Sequence, residues 1–211
     1  EKDSSNIDLR LKLGELYFIN NDTLQAIQTF NNIAETFHDD FRAFYSLGSL
    51  SYQQRNWAEA ERYYKKSLEL KPEFRQGFYM LGLTYLRATR LPEAEKTYRD
   101  ALQLFPDDFD FNFFLANSLN QQKKYDQAIP YLSACLSVDS TNIDVMSALA
   151  MVYDELNHHE KSDSLYEVAL KLKNDHPLIM NNYSYSLSER GLNLVYALQM
   201  SQKAVAQDST N

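Results

Sequence analysis

From Gln76 onward the apolar positions fall three and four residues apart: Leu81, Tyr85 and Leu86, then, past a polar stretch, Ala94, Tyr98, Ala101 and Leu102. That spacing draws one apolar stripe along an α-helix, so the segment predicts two amphipathic helices joined by a turn. Pro92 suits the first turn of the second helix, where no backbone donor is needed, and Pro72, Pro106 and Pro177 are expected to interrupt the chain between helix pairs. Asn56, Asp107 and Asp175 stand where capping side chains belong.

The pattern returns every 34 residues. Gly14, Gly48, Gly82, Ala116, Ala150 and Ser184 form a column of small residues, each preceded by a large one in Leu13, Leu47, Leu81, Leu115, Leu149 and Tyr183. Ala26, Ala60, Ala94, Ala128 and Ser162 follow twelve positions later, and Ala197 after one inserted residue. Phe30, Tyr64, Tyr98, Leu132 and Tyr166 make a largely aromatic column, and Ala34, Leu68, Leu102, Leu136, Leu170 and Val205 an apolar one. A helical hairpin cannot bury both of its faces, so each repeat must lean on the next. The small column lets two helix axes approach, and the aromatic column fills the space beside it.

The Leu-Gly pair, the Tyr three residues on, the Ala, the aromatic and the Pro resemble the tetratricopeptide repeat. Residues 75–108 match best, with Leu81-Gly82, Tyr85, Ala94, Tyr98, Ala101 and Pro106 at the family positions. The resemblance covers residues 7–211 as repeats 7–40, 41–74, 75–108, 109–142, 143–176 and 177–211, after a flexible head of residues 1–6. It implies an all-α fold, a single right-handed α-solenoid domain of six helix-turn-helix repeats with a concave working face. Ser51 and Leu119 depart from the first-helix Tyr, and Ser67 and Cys135 stand where Ala is usual. The longer turn Gly191-Leu192-Asn193-Leu194 should make the sixth repeat irregular.

In that family the groove is lined from the first helix of each repeat. The resemblance therefore points to Tyr45, Tyr52, Tyr79, Met80, Phe113, Phe114, Asn117, Asn120, Met151, Asn181, Asn182 and Tyr185 as a groove for a peptide or partner protein. Rigid aromatic faces anchor apolar side chains at little entropic cost, and Asn offers both a donor and an acceptor to an extended backbone. The competing role for each aromatic is packing between helices, and for each Asn a solvated helix face. Asp144, Asp154, Glu155 and Glu189 gather toward one end, which suggests a basic segment in the ligand. Leu11 and Glu15 fill the positions where chaperone-tail binders carry Lys and Asn, so that carboxylate clamp is expected to be absent.

Composition narrows the function. With 21 Lys and Arg against 29 Asp and Glu, the net charge of −8 repels phosphate backbones and argues against nucleic-acid partners. No apolar run reaches the roughly 18 residues of a membrane span. Cys135, the one cysteine, falls in a column of small packing residues with Ile33, Ser67, Ala101, Ala169 and Ala204. His38, His158, His159 and His176 lie at turns and junctions without metal-ligand spacing, and neither a GxxxxGK loop nor a GxSxG elbow occurs. No enzyme activity, metal or cofactor is expected. The sequence thus reads as an interaction scaffold. The alternatives are a helical-repeat segment of a larger bacterial exported protein or lipoprotein, and a self-assembly module. The compartment stays open between bacterial cytoplasm and periplasm or outer-membrane association. Ala197, Leu198, Met200, Ala204 and Val205 make the last helix apolar with no polar capping helix after it, so the chain is expected to be part of a longer array or to bury this end, for example as a homo-oligomer.

Overall fold

The computed structural model describes residues 2–208. Glu1, in the expected head, and residues 209–211, in the expected sixth repeat, lie outside the described residues. Among the described residues there are twelve α-helices and no strands: α1 Lys2–Ile19, α2 Thr23–Thr36, α3 Phe41–Gln53, α4 Trp57–Leu70, α5 Arg75–Arg87, α6 Leu91–Leu104, α7 Phe109–Gln121, α8 Tyr125–Val138, α9 Ile143–Glu155, α10 His159–Leu172, α11 Pro177–Glu189 and α12 Leu194–Asp208. Helix α1 begins at Lys2, inside the stretch expected as a head.

The chain divides into two compact units, residues 1–106 with α1 to α6 and residues 107–211 with α7 to α12. In each, successive helices pair as hairpins, and the second helix of a hairpin also packs on the first helix of the next: α2 on α3 and α4 on α5, then α8 on α9 and α10 on α11. The all-α repeat fold expected from the 34-residue period is the one observed.

The small column explains how the hairpins of the first unit close. A Cβ on Gly82 would lie 2.3 Å from Tyr98 Cζ, one on Gly48 2.7 Å from the Tyr64 ring, and one on Gly14 2.5 Å from the Phe30 ring. Each glycine is therefore a seat for the aromatic ring of the following helix, and those rings are at most 2% exposed. Burying a side chain of that size stabilises the hairpin by about 1.5–3 kcal/mol. In the second unit Ala116 and Ala150 are fully buried in the same column.

The turns inside the hairpins repeat as faithfully as the core. Asn21, Arg55, Thr89, Lys123, Asn157 and Gly191, again 34 apart, all take a left-handed backbone with φ between 59 and 65°. The residue after each donates its N–H back to the helix it has just left, as Asn56 does to Ser51 O at 2.9 Å and Arg90 to Tyr85 O at 2.8 Å. This six-to-one bond satisfies a carbonyl that the helix end would otherwise leave open. In the last hairpin Asn193 adds a second left-handed residue, φ 43°, which is the irregularity expected there.

The caps correct two expectations. Asn56 caps α4 as expected, accepting from Glu59 N. Helix α7, however, starts at Phe109, so Asp108 rather than Asp107 caps it, at 3.1 Å from Phe111 N. His176, not Asp175, precedes α11 and makes no capping bond. Pro177 is not in the connection but opens the helix, where its missing N–H leaves nothing unsatisfied.

Candidate functional site

The residues singled out for the groove lie on odd-numbered helices and fall into different surroundings. In the first unit Tyr45 is half-buried within an aromatic cluster, its ring 5.0 Å from Phe74 and 5.7 Å from Tyr64. Tyr52 packs edge-on to Trp57 at 5.3 Å. The Arg75 guanidinium sits 6.0 Å from the centre of the half-buried Tyr79 ring. Half-buried Met80 accepts a 2.7 Å bond from Thr84 Oγ1 at its carbonyl. These contacts hold the three tyrosine rings against neighbours of their own chain.

In the second unit Phe113 and Phe114 are half-buried and meet edge to face at 5.8 Å, with Phe109 stacked on Phe113 at 6.2 Å. Asn117 and Asn120 are half-buried on the same helix. The remaining four candidates converge. Met151 from α9 and Asn181, Asn182 and Tyr185 from α11 line one cavity of about 440 Å³, together with Asp154, Glu155, Asn157, His159, Tyr166, Ser186, Glu189 and Arg190. Three of the four acidic residues expected to gather, Asp154, Glu155 and Glu189, stand on it; Asp144 is exposed in the first turn of α9 and is not part of its wall.

This groove exists because α9 and α11 present their open face between short side chains. Ser147, one turn before Met151, accepts a 3.0 Å bond from Asn182 Nδ2, which ties the two helices together and leaves the Asn182 oxygen available. Tyr185 is 65% and Met151 42% exposed, large apolar surface that no part of the unit covers. The charge around them is mostly negative. Arg190 forks onto both oxygens of Asp163 at 2.5 and 3.0 Å and also donates to the Ser186 carbonyl, so its positive charge is matched within the protein. Hydrogen bonding to Asp163 raises the Arg190 pKa further. His159 lies 3.4 Å from Asp154. Burial first, and then the Asp154 charge, push the Tyr166 phenol upward.

Tyr166 and Arg190 were missed as groove residues by the sequence reading. Tyr166 belongs to the aromatic packing column, and it does pack, stacked on Tyr183 at 5.1 Å. The signal that sets it apart is fifteen residues upstream. Tyr64 Oη donates to Ser49 Oγ at 3.3 Å, but the position equivalent to Ser49 holds Met151, which has no hydroxyl to offer Tyr166.

Other chemistry is sparse. Among the described residues no three His, Cys, Asp or Glu side chains are grouped to hold a metal ion, and no helix is long and apolar enough to cross a membrane. Cys135 is buried, its Sγ 3.6 Å from the Phe109 carbonyl, and burial together with the nearby Asp110 charge pushes its thiol up to about 11. A thiol so placed is a packing group rather than a nucleophile.

Three models of the tetratricopeptide repeat match the sequence, over residues 41–74, 79–139 and 119–179. The chain belongs to the tetratricopeptide repeat family. No curated protein matches it by sequence. Solved structures of similar fold include MamA from Desulfovibrio magneticus, 17% identical with a TM-score of 0.74 over 82% of this chain and 97% of that one. YrrB, described as a TPR protein with an unusual peptide-binding site, is 19% identical with a TM-score of 0.70 over 86% and 93%. Pseudomonas aeruginosa PilF is 17% identical with a TM-score of 0.73 over the whole of both chains. At these identities the likeness concerns the fold.

Proposed function

We propose that this repeat protein is a non-catalytic interaction scaffold, and that the groove between α9 and α11 is where a segment of a partner protein docks. The observation that carries the reading is the convergence of Met151, Asn181, Asn182 and Tyr185 on one 440 Å³ cavity. Its size is within the range of recognition sites, roughly 300–1,000 Å³. Tyr185 supplies a large contact surface with only two side-chain torsions to immobilise, and the two Asn amides can pair with an extended backbone. The peptide-binding description of YrrB, a protein of the same fold, supports the class of ligand.

The reading is tested by affinity capture with the wild-type chain and with Tyr185→Ala/Asn181→Ala. Both side chains are exposed, so the variant should keep its helical circular dichroism. It is expected to lose the partner that the wild type retains. An unchanged capture profile with an unchanged fold rejects the groove.

A second reading, self-assembly, is favoured by two uncovered helix faces. On α12, Leu194, Leu198 and Val205 are 56, 59 and 65% exposed at the spacing of one helical stripe. On α1, Leu9, Leu13 and Leu16 are exposed, whereas their equivalents one repeat later, Ala43, Leu47 and Leu50, are buried against α2 and its neighbours. Light scattering over a roughly hundredfold range of concentration separates the readings. A mass that rises with concentration, and no longer does so after Leu198→Glu, supports assembly through α12; a constant monomer mass rejects it.

A further inference from the structure

We infer that the α9–α11 groove is selective for a basic partner segment, with a lysine or arginine side chain seated between Tyr166, Asp154 and Glu189. This rests on the proposal that the groove is the docking surface and adds the chemistry of what docks.

Three observations converge. The first is an unpaired hydroxyl on an otherwise buried side chain that opens on the groove. Tyr166 is 1% exposed and lines the cavity, yet among the described residues nothing hydrogen-bonds its Oη. The oxygen is not sealed from solvent but opens on the groove, where a ligand group can use the bonding capacity that no protein group takes up. A phenol oxygen can accept from an ammonium or guanidinium and can also donate to a carbonyl, so it can bond a basic head or the backbone beside it.

The second is the set of carboxylates on the same wall. Glu155 and Glu189 are exposed, and Asp154 lies 3.4 Å from His159 with its charge also felt by Arg190 and Tyr166, while Arg190, the one Arg in the lining, is paired with Asp163. A cation entering here meets three carboxylates and no uncompensated positive charge, in a concave site where field lines concentrate. The third is the distribution of charge along the chain. Residues 1–106 carry 15 acidic against 14 basic residues, while residues 107–211 carry 14 against 7. Almost all of the net charge of −8 therefore belongs to the unit that holds the groove. Long-range attraction and the local pocket favour the same class of partner.

The apolar part of the groove completes the match. Met151 and the Tyr185 ring offer a wall for the methylene stem of Lys or Arg, and a tyrosine face attracts the cationic head itself. Met151 thus has a double effect: it deprives Tyr166 of the internal partner that Ser49 gives Tyr64, and it provides the adaptable surface beside the freed hydroxyl.

The test uses the whole chain and fluorescence anisotropy with four labelled nonapeptides: oligo-lysine, oligo-arginine, oligo-glutamate and an uncharged Ser/Leu/Phe mixture. Three variants accompany the wild type. Asp154→Asn/Glu155→Gln/Glu189→Gln neutralises the groove. Asp107→Asn/Asp126→Asn/Glu160→Gln removes the same charge from exposed positions outside it. Tyr166→Phe deletes only the hydroxyl and, because that hydroxyl bonds nothing, is expected to fold as the wild type does. The inference expects the basic peptides to bind and the acidic one not to. It expects the groove triple to weaken binding about tenfold or more and Tyr166→Phe several-fold, against less than about twofold for the outer triple. Equal losses from the two triples, or no binding of either basic peptide, overturn it. Binding of the uncharged peptide alone, lost on Tyr185→Ala, overturns the basic selectivity while leaving the groove itself standing.

Discussion

Gly82→Ala puts the packing account to a quantitative test. The added methyl would sit 2.3, 2.5 and 2.7 Å from Tyr98 Cζ, Cε1 and Oη, well inside contact distance, and the Tyr98 ring is fully buried, so it has no free space into which to swing. Overpacking of this kind costs about 1–3 kcal/mol, while replacing a mid-helix glycine with alanine returns about 1 kcal/mol of helix propensity. The net expectation is a loss of up to about 2 kcal/mol. The chain itself suggests the compensating change: one repeat later the same two columns hold Ala116 with Leu132, both buried. Gly82→Ala/Tyr98→Leu should therefore be more stable than the sum of the single variants by about 1–3 kcal/mol of coupling. Urea unfolding followed by the fluorescence of Trp57, the one tryptophan, reports on the unit that carries both positions. If Gly82→Ala stabilises the protein, or the two substitutions are additive, the glycine column is not a seat for the aromatic ring and the reasoning fails.

Three further outcomes follow from particular residues. Thr89 is β-branched, exposed and held at φ 59°, so Thr89→Gly should raise stability by about 0.5–1 kcal/mol in the same urea assay, despite the greater freedom of glycine in the unfolded chain. Burial alone would raise the Asp40 carboxyl, but bonds from the Arg42 side chain and backbone N–H, and the Arg42 charge, hold it below its ordinary value. Its folded value being depressed, the stabilisation is complete above the unfolded pKa of about 4 and disappears as pH falls through the folded one; Asp40→Asn should flatten that acid limb in thermal melts between neutral pH and about pH 3. Cys135, buried with its thiol pushed up to about 11, should not react with an aromatic disulfide reagent at pH 8 until denaturant is added; rapid labelling of the native protein would contradict its burial.

The fold was legible because it rests on columns. Gly14, Gly48 and Gly82 recur for the same reason each time, a ring that needs their missing Cβ, so a single sequence carries several copies of the argument. What is particular to one repeat was harder to see. Tyr45 and Tyr185 both lie on the expected groove face of a first helix, one turn apart in repeat position, yet the Phe74 and Tyr64 rings pack on the first, while the second stays 65% exposed. Whether an aromatic packs or waits for a ligand depends on residues a whole repeat away, and no spacing rule within one helix reports it. Tyr166 shows the same limit from the other side: its column said core, which is right for the ring, while the state of its hydroxyl depended on Met151 standing in place of a serine. The shift of the α7 cap from Asp107 to Asp108 is a smaller case, a choice between adjacent acids decided by the residue at which the helix begins.

The central claim is that the α9–α11 groove is the working face, and site-specific photocrosslinking in the native host tests it most directly. A photoreactive phenylalanine analogue is placed at Tyr185, inside the groove, and in a second protein at Ser164, exposed on α10 away from it. The account predicts a discrete crosslinked protein from the Tyr185 position that disappears when Asp154→Asn/Glu155→Gln/Glu189→Gln is added, and none from Ser164. The same adduct from both positions, or an adduct from Ser164 alone, would contradict it.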